Sequence, residues 1–307
     1  MDFTIVTPSF RQLDWLACCI ASVADQEGVS LEHIIQDAGS EGFSDFTERM
    51  RNRWPDRPYY RRVMISEPDR GMYDAINRGL QKGSGRICAY LNCDEQYLPG
   101  ALAQVKRELE KNLPAEILYG GFLVMNKRGS FVTAQRPVKM FWQHVAISHL
   151  PNFSCATFFR RTMLERQGAW FDPRFRYCGD QQWTLERLRF GTPEIRIRDI
   201  TSVFWDHGNN AGTGPAGLAE AASIRQAAPG LVRQLAWLWK WCHRLVKLFS
   251  GKYFPVQVRA LVYAGAEARQ RSMIAQGWAS PVWLRRLLQQ RTTLGNQPPS
   301  GPGDFAN

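Results

Sequence analysis

Residues 66–95 read SEPDRGMYDAINRGLQKGSGRICAYLNCDE and contain one helix-to-strand step. The spacing of apolar residues predicts a short helix over residues 74–82. An apolar run over residues 86–91 predicts a buried strand, and the loop Asn92-Cys93-Asp94-Glu95 follows it directly. The stretch therefore predicts a helix followed by a strand with acidic side chains at its carboxyl end.

The same alternation of strand and helix continues on both sides of this stretch. Strands are predicted over residues 4–7, 31–36, 60–65 and 116–124, and helices over residues 13–24 and 99–111. Such alternation is typical of an α/β fold with a mostly parallel, doubly wound sheet. Ligands bind at the carboxyl ends of strands in these sheets. Because Asp37, Asp69 and Asp94 all follow strand-like runs, we expect them to line one crevice.

Two of the loops after these strands carry groups suited to a phosphorylated ligand. Acidic side chains in the loop at residues 92–95 suit Mg²⁺ or Mn²⁺, and such an ion can bridge a diphosphate. A solvated acidic turn is the alternative, and the tetrapeptide alone favours it. Side chains within residues 66–80 can bind a nucleobase and a ribose. The alternative there is a helix N-terminus at which Asp69 or Asp74 interacts with the helix dipole.

Five segments with familiar spacing occur in order along the first 102 residues. They are TIVTPSF at 4–10, Ser22-Val23 with Gln26, QDAGS at 36–40, SEPDRGMYDAINRGL at 66–80 and LNCDEQYLPGAL at 91–102. This ordered set resembles the family 2 glycosyltransferases over about the first 210 residues, and it is more specific than any single motif. The resemblance implies a GT-A (Rossmann-like) fold, with a mixed, mostly parallel sheet flanked by helices. It also implies inverting transfer of a hexose-type sugar from a nucleotide-diphosphate sugar, most commonly a UDP-sugar, in bacterial cell-surface polysaccharide biosynthesis.

The resemblance assigns residues to the nucleotide sugar. Pro8 and Asp37 would lie near the base and ribose, with Asp69 beside the base. Asn92 and Asp94 occupy the positions of the family's DxD motif, in which the second acid binds a divalent metal, Mn²⁺ or Mg²⁺. Asn92 replaces the usual first acid, as it does in a subset of the family.

Two further residues match positions with catalytic or metal-binding roles in the family. The Gly179-Asp180 step matches the position of the general base that takes a proton from the acceptor hydroxyl. The alternative is that Asp180 only caps a helix that begins at Gln181. His207 lies where some relatives supply a further metal ligand, and the alternative is a hydrogen bond within a turn. The role of Glu95 stays open.

Charge separates the chain into two unlike parts. The net charge is +11, but the first 220 residues hold 27 basic and 26 acidic residues, whereas residues 231–291 hold eleven basic residues and one acid. Residues 231–249 predict one amphipathic helix, with an apolar arc of about 140° opposite its basic residues. We expect this helix to bind an anionic membrane surface. The alternative is that its apolar face packs on the catalytic domain. No nucleic-acid motif accompanies the charge, so we expect no nucleic-acid partner.

The sequence predicts a domain order and a location. Residues 1–215 would form the catalytic domain, residues 216–292 a basic helical, membrane-associating region, and residues 293–307 a disordered tail. The sequence contains no apolar run of about 18 residues and no signal-peptide pattern at its start. We therefore expect a cytoplasmic protein that is peripheral on the inner face of the cell membrane. Its expected partners are a nucleotide-diphosphate sugar donor and a glycan or lipid-linked glycan acceptor.

Two other functions compete with this one. A sugar nucleotidyltransferase would need a Gly-rich basic phosphate loop near the N-terminus, and residues 4–13 lack one. A catalytically inactive nucleotide-sugar-binding or membrane adaptor protein could use the same GT-A scaffold. The presence of both Asp94 and Asp180 disfavours this second alternative.

Overall fold

The computed structural model describes residues 1–208, 212, 214–254 and 256–279. Its strands are β1 (Phe3–Ser9), β2 (Leu31–Asp37), β3 (Tyr60–Ser66), β4 (Ile87–Tyr90), β5 (Gln96–Tyr97), β6 (Ile117–Asn126), β7 (Phe131–Gln135), β8 (Thr157–Arg160), β9 (Glu194–Asp206), β10 (Val256–Val262) and β11 (Met273–Ala279). Its helices are α1 (Leu13–Ala24), α2 (Phe43–Arg53), α3 (Met72–Lys82), α4 (Ala101–Lys111), α5 (Trp142–Ile147), α6 (Thr162–Gln167), α7 (Gly179–Arg189), α8 (Pro215–Gln226), α9 (Gly230–Gln234) and α10 (Ala236–Phe249).

Within the described residues, β1 to β9 form one mixed, mostly parallel sheet in the order β3-β2-β1-β4-β8-β6-β9-β5, with β7 paired to β6. Strands β1 to β4 are parallel, and their register aligns Ser9, Asp37 and Ser66. Both faces of β1 and β2 are buried, as expected for parallel strands covered by helices on each side. The predicted α/β fold is confirmed.

The directions of the strands decide which loops meet. Strand β8 is antiparallel to both β4 and β6, and β6 is parallel to β9. Consequently β9 runs in the same direction as β4, and the carboxyl ends of these two strands lie at one edge of the sheet. This topology brings the loop at residues 92–95 and His207 to the same edge.

Alternate residues of β1 pack into different layers. Ile5 packs with residues of α1 and α4 on one face, and Val6 packs with residues of α3 and α7 on the other. Helix α3 approaches β1 closely at Gly79, where an added Cβ would lie 2.5 Å from a Val6 methyl carbon. The small residue therefore fixes how closely α3, and the loop before it, can approach the sheet.

The C-terminal region differs from its sequence prediction. The single helix predicted over residues 231–249 is wrong, because the chain forms α9 and α10 with a break at Leu235. The region predicted to be basic and helical also contains a β-hairpin, in which β10 pairs with β11. The predictions for residues 280–307 lie outside the described residues, as do residues 209–211 and 213.

The β10–β11 hairpin is docked on the N-terminal part of the chain. Gln96 and the backbone of Tyr263 exchange two hydrogen bonds of 3.0 and 2.9 Å. Arg271 forms a two-pronged ion pair with Asp25, at 2.7 and 2.8 Å. Part of the basic charge is thus used in packing against the N-terminal part of the chain. Within the described part of the chain, no helix has the length and hydrophobicity needed to cross a bilayer.

Candidate active site

The two predicted metal ligands contact each other. Asp94 follows β4 and His207 follows β9, and the Asp94 Oδ2 atom lies 3.0 Å from His207 Nε2. Trp15 of α1 meets the His207 ring edge-on, with ring centroids 4.9 Å apart. Both side chains of the pair are partly exposed, so a ligand can reach them.

The spacing of this pair fits a hard divalent cation. Metal–ligand distances of about 2.1 Å place two adjacent ligand atoms of an octahedral ion about 3.0 Å apart. A carboxylate oxygen and an imidazole nitrogen are both suitable first-row metal ligands. The nearby Asn92 Oδ1 atom is buried, and among the described residues it has no hydrogen-bond partner. That oxygen is available for a ligand such as a ribose hydroxyl or the ion itself.

Glu95 shapes the loop that carries Asp94. Its side chain is buried, and Oε2 accepts a 2.8 Å hydrogen bond from the backbone N–H of Asn92. The backbone N–H of Glu95 in turn donates to the Asn92 carbonyl at 2.9 Å. Burial and the neighbouring Asp94 charge raise the pKa of Glu95. Its function here is to close the loop at residues 92–95.

Asp180 lies in the first turn of α7, whose N-cap is Cys178, so the alternative in which Asp180 caps a helix that begins at Gln181 is wrong. Its Oδ1 atom accepts hydrogen bonds from the Tyr73 hydroxyl at 3.3 Å and from the Gln181 backbone at 2.8 Å. Burial raises the pKa of Asp180 to about 6. Tyr90, at the end of β4, lines the same small cavity as Asp180 and thereby connects it to the Asp94 loop.

Close packing at position 179 explains why a glycine precedes Asp180. A Cβ at position 179 would lie 2.6 Å from the ring of Tyr73. That ring cannot retreat easily, because it is buried and stacks on Phe171 with centroids 5.7 Å apart. The absence of a side chain at Gly179 therefore allows Tyr73 to reach Asp180.

The other predicted nucleotide-binding residues follow β1, β2 and β3 or lie within them. Pro8 is buried in β1 opposite Gln36. Asp37 is fully buried, and its carboxylate accepts hydrogen bonds of 3.0 and 2.7 Å from the backbone of Gly39 and Ser40. It therefore also shapes its own loop. We call Pro8, Asp37, Asp69, Asn92 and Asp94 the donor edge.

Asp69 lies in the loop before α3, and Asp74 lies in the first turn of α3. Asp74 is buried, accepts a hydrogen bond from the Arg70 backbone at 3.0 Å and pairs with Arg78 at 2.8 Å. It fits the structural alternative, an acid that stabilises a helix N-terminus. Asp69 is half-buried and accepts a 2.8 Å bond from the backbone N–H of Gly71. Burial raises the pKa of Asp69, with a further contribution from Asp74.

The family model "Glycosyl transferase family 2" matches residues 4–170. The chain belongs to this family. A "PGL/p-HBAD biosynthesis glycosyltransferase" of Mycobacterium tuberculosis is 25% identical over 201 residues, covering 64% of this chain and 72% of the relative. An uncharacterized glycosyltransferase of the same species is 27% identical over 203 residues, covering 66% and 74%.

Solved structures share the fold of this family 2 glycosyltransferase. S. aureus TarS (residues 1–349) in complex with UDP-GlcNAc superposes with a TM-score of 0.56 at 13% identity, over 82% of this chain and 75% of TarS. The mannosyltransferase PcManGT of Pyrobaculum calidifontis, in complex with GDP-Man and Mn²⁺, has a TM-score of 0.51 at 15% identity, over 80% and 75%. The protein is thus a glycosyltransferase of GT-A fold.

The glycosyltransferase uses one residue that the sequence analysis missed. Glu220 of α8 accepts hydrogen bonds of 2.7, 2.8 and 2.9 Å from the backbone N–H groups of Arg176, Tyr177 and Cys178. Those residues lead directly into the turn that carries Asp180. Glu220 lies beyond residue 215, where the sequence predicts the end of the catalytic domain. No local pattern in the sequence connects Glu220 with a loop more than 40 residues away. Its role is to position the Asp180 turn.

Proposed function

We propose that this glycosyltransferase transfers a sugar, with inversion, from a UDP-sugar to a hydroxyl group of a lipid-linked glycan acceptor. The observation that carries the proposal is the pairing of a metal-suited site, Asp94 with His207, and a separate carboxylate, Asp180, whose pKa is about 6. The UDP-GlcNAc complex of TarS supports a UDP-sugar donor. The GDP-Man complex of PcManGT makes GDP the nucleotide to test against it.

Asp180 is the proposed general base. The acceptor oxygen forms a bond to the anomeric carbon while the bond from that carbon to the diphosphate oxygen breaks, and the hydroxyl proton passes to Asp180. Among the described residues, the hydrogen bonds to this carboxylate all go to Oδ1, so we assign the proton to Oδ2. With a pKa of about 6, the group is ionised at neutral pH and remains a stronger base than an ordinary aspartate.

Asp94 and His207 are the proposed ligands of a divalent cation, Mn²⁺ or Mg²⁺. A bound cation supplies positive charge that stabilises the departing diphosphate. His207 is held beside Asp94 by the edge contact with Trp15, and Glu95 fixes the loop that presents Asp94. The rest of the donor edge is proposed to bind the nucleoside. Asn92 Oδ1, which has no hydrogen-bond partner among the described residues, would accept a hydrogen bond from the ribose.

A lipid-linked acceptor requires the enzyme to work at a membrane, and one face of α10 supports this. His243 and Trp239 of α10 pack toward the catalytic domain, whereas Trp237 and Trp241 are 62% and 55% exposed. Leu245 and Leu248 continue the same exposed stripe at helical spacing. Tryptophan beside basic side chains is typical of a helix that lies in the interface of an anionic bilayer.

The proposed location is therefore the inner face of the cell membrane, with the protein bound peripherally through α10. One face of α10 packs on the N-terminal part of the chain, and the other face is exposed and thus accessible to a membrane. The exposed tryptophans favour a bilayer over a nucleic acid as the anionic partner. An apolar stripe can be buried in a bilayer, whereas binding to a phosphate backbone depends on charge.

A turnover assay tests the proposed reaction. Purified protein is incubated with Mn²⁺, a lipid extract containing polyprenyl-linked glycans, and UDP-, GDP- or dTDP-sugars in turn. We expect release of UDP from one UDP-sugar, and a product with inverted anomeric configuration by NMR. Release of GDP or dTDP instead would overturn the UDP assignment, and retention of configuration would overturn the role of Asp180.

A further inference from the structure

A large cavity lies apart from the proposed transfer site. Its volume is about 940 Å³, and it forms where α5, α10 and β10 meet β7 and β9. Among the described residues that line it, none belongs to the donor edge or to the surroundings of Asp180. The volume lies in the range of sites that bind small molecules or head groups. We call it the His–Lys cavity.

The lining of the His–Lys cavity is strongly positive. Helix α10 contributes Lys240, Arg244 and Lys247, all on the side of the helix that borders the cavity. Strands and loops contribute Arg136, Arg198, Lys252 and Arg259. Asp199 is the one acid among the described lining residues. Within the described part of the chain, none of the seven basic side chains just named forms an ion pair. The cavity thus concentrates positive charge that the protein itself leaves uncompensated.

Two buried side chains of the His–Lys cavity have polar atoms that could donate hydrogen bonds to an anionic ligand. His243 is only 3% exposed, and within the described residues neither of its ring nitrogens has a hydrogen-bond partner. The Lys252 ammonium is likewise buried without a partner there, and burial together with Lys247 lowers the pKa of Lys252 to about 7. Unsatisfied buried donors are costly, so such groups usually serve a ligand. Both residues line the His–Lys cavity.

Three histidines in this cavity also resemble a metal site, but their surroundings disfavour a cation. His144, His149 and His243 have ligand atoms that all lie within 4.8 Å of one another. Lys247 and Lys240 are close enough to lower the pKa of both His144 and His149, after the larger effect of burial. A cation placed among these lysines would be repelled by them, whereas an anion would be attracted by them.

We propose that the His–Lys cavity binds a phosphate or diphosphate group. The group would accept hydrogen bonds from Lys252 and His243 and be surrounded by Lys240 and Lys247 of α10. Its source is either the head group of a membrane lipid, which the adjacent exposed stripe of α10 would bring near, or a soluble phosphorylated compound. The proposal does not depend on the proposed transfer reaction.

Calorimetric titration of the full chain with inorganic pyrophosphate, in EDTA, tests this site without the donor-site metal. The double variant Lys247→Gln/Lys252→Gln removes two cations from the cavity, and Lys127→Gln/Arg128→Gln removes two exposed cations from the β6–β7 turn. We expect pyrophosphate to bind, with a loss of at least about tenfold in affinity for the cavity variant only. Circular dichroism spectra and thermal unfolding, measured on every variant, check that each one is folded.

A second arm identifies the source of the phosphate. Sedimentation with vesicles of phosphatidylcholine and phosphatidic acid is compared with pyrophosphate binding in the same variants. Loss of both in the cavity variant indicates a lipid head group, and loss of pyrophosphate binding alone indicates a soluble ligand. Equal pyrophosphate affinity in all folded variants overturns the proposal. Tight Zn²⁺ binding that His243→Gln abolishes, without pyrophosphate binding, overturns it in favour of a metal site.

Discussion

The Asp94–His207 pair and the His–Lys cavity both contain histidine, yet opposite charges surround the two sites. His207 lies 3.0 Å from the Asp94 carboxylate, with Glu95 close behind it in the same loop. His243 lies among lysines of α10 and the loop that follows it. An imidazole beside carboxylates suits a cation, and buried imidazoles beside ammonium groups suit an anion. The neighbours of a histidine, more than the histidine itself, decide which ligand it can hold.

The largest effect expected at the acidic site is on transfer itself. Asp180→Asn removes the proposed base while keeping its size, so we expect the transfer rate to fall about 10² to 10⁴-fold with donor binding retained. Asp172→Asn, which removes an acid paired with Arg174 outside the site, is the matched control. Steady-state turnover and UDP binding measure the two properties separately. Near-normal turnover of Asp180→Asn would leave this residue with a purely structural role.

A smaller effect, on membrane binding, is expected from changes to α10, the helix that borders the His–Lys cavity. Trp237→Ser/Trp241→Ser removes two exposed tryptophan side chains of α10, and we expect affinity for anionic vesicles to fall on the order of tenfold. Tyr59→Ser/Phe190→Ser is the control, because these side chains are 71% and 77% exposed elsewhere on the surface. Vesicle sedimentation compares the two pairs. An equal loss in both pairs would mean that general hydrophobicity, and not α10, holds the protein on the membrane.

The smallest effect concerns the pH dependence of transfer. Asp180 must be ionised to act as a base, so activity should fall as the pH drops through about 6. Tyr73→Phe removes a hydrogen bond that stabilises the ionised form, and this change raises the pKa of Asp180. We expect the acidic limb of the rate profile to move to higher pH by less than about one pH unit.

Tyr97→Phe is the control for this pH measurement. The Tyr97 hydroxyl is buried and has no hydrogen-bond partner among the described residues, so its removal should leave the profile unchanged. Identical profiles for all three proteins would indicate that Asp180 does not set the acidic limb.

Much of the fold was predictable because its pattern is local. The strands β1 to β4 are short segments rich in apolar residues and bounded by polar ones, and parallel pairing then places Asp37 and the Asp94 loop at one edge. The meeting of Asp94 with His207 was expected only through the family resemblance. Its structural cause is that β9 runs parallel to β4, and this depends on pairings between residues 38 to 80 positions apart along the chain.

Features that depend on distant packing were not predictable. Glu220 reaches the Asp180 turn from α8, and Trp15 reaches His207 from α1, without any sequence spacing that indicates either contact. The break at Leu235 interrupts a region whose apolar periodicity continues across it, so periodicity alone predicted one helix. The His–Lys cavity likewise needs α5, α10 and β10 together, and its histidines are separated by up to 99 residues in the sequence.

Calorimetric titration with UDP, with and without Mn²⁺, tests the central claim that the acidic edge holds a nucleotide through a metal. We expect UDP to bind the native protein tightly only with Mn²⁺, and Asp94→Asn to lose at least about tenfold in that affinity. Asp45→Asn on α2 serves as the control. GDP and dTDP titrations test the choice of nucleotide. Equal UDP affinity with and without Mn²⁺, or an unchanged affinity in Asp94→Asn, would contradict the metal-dependent donor site.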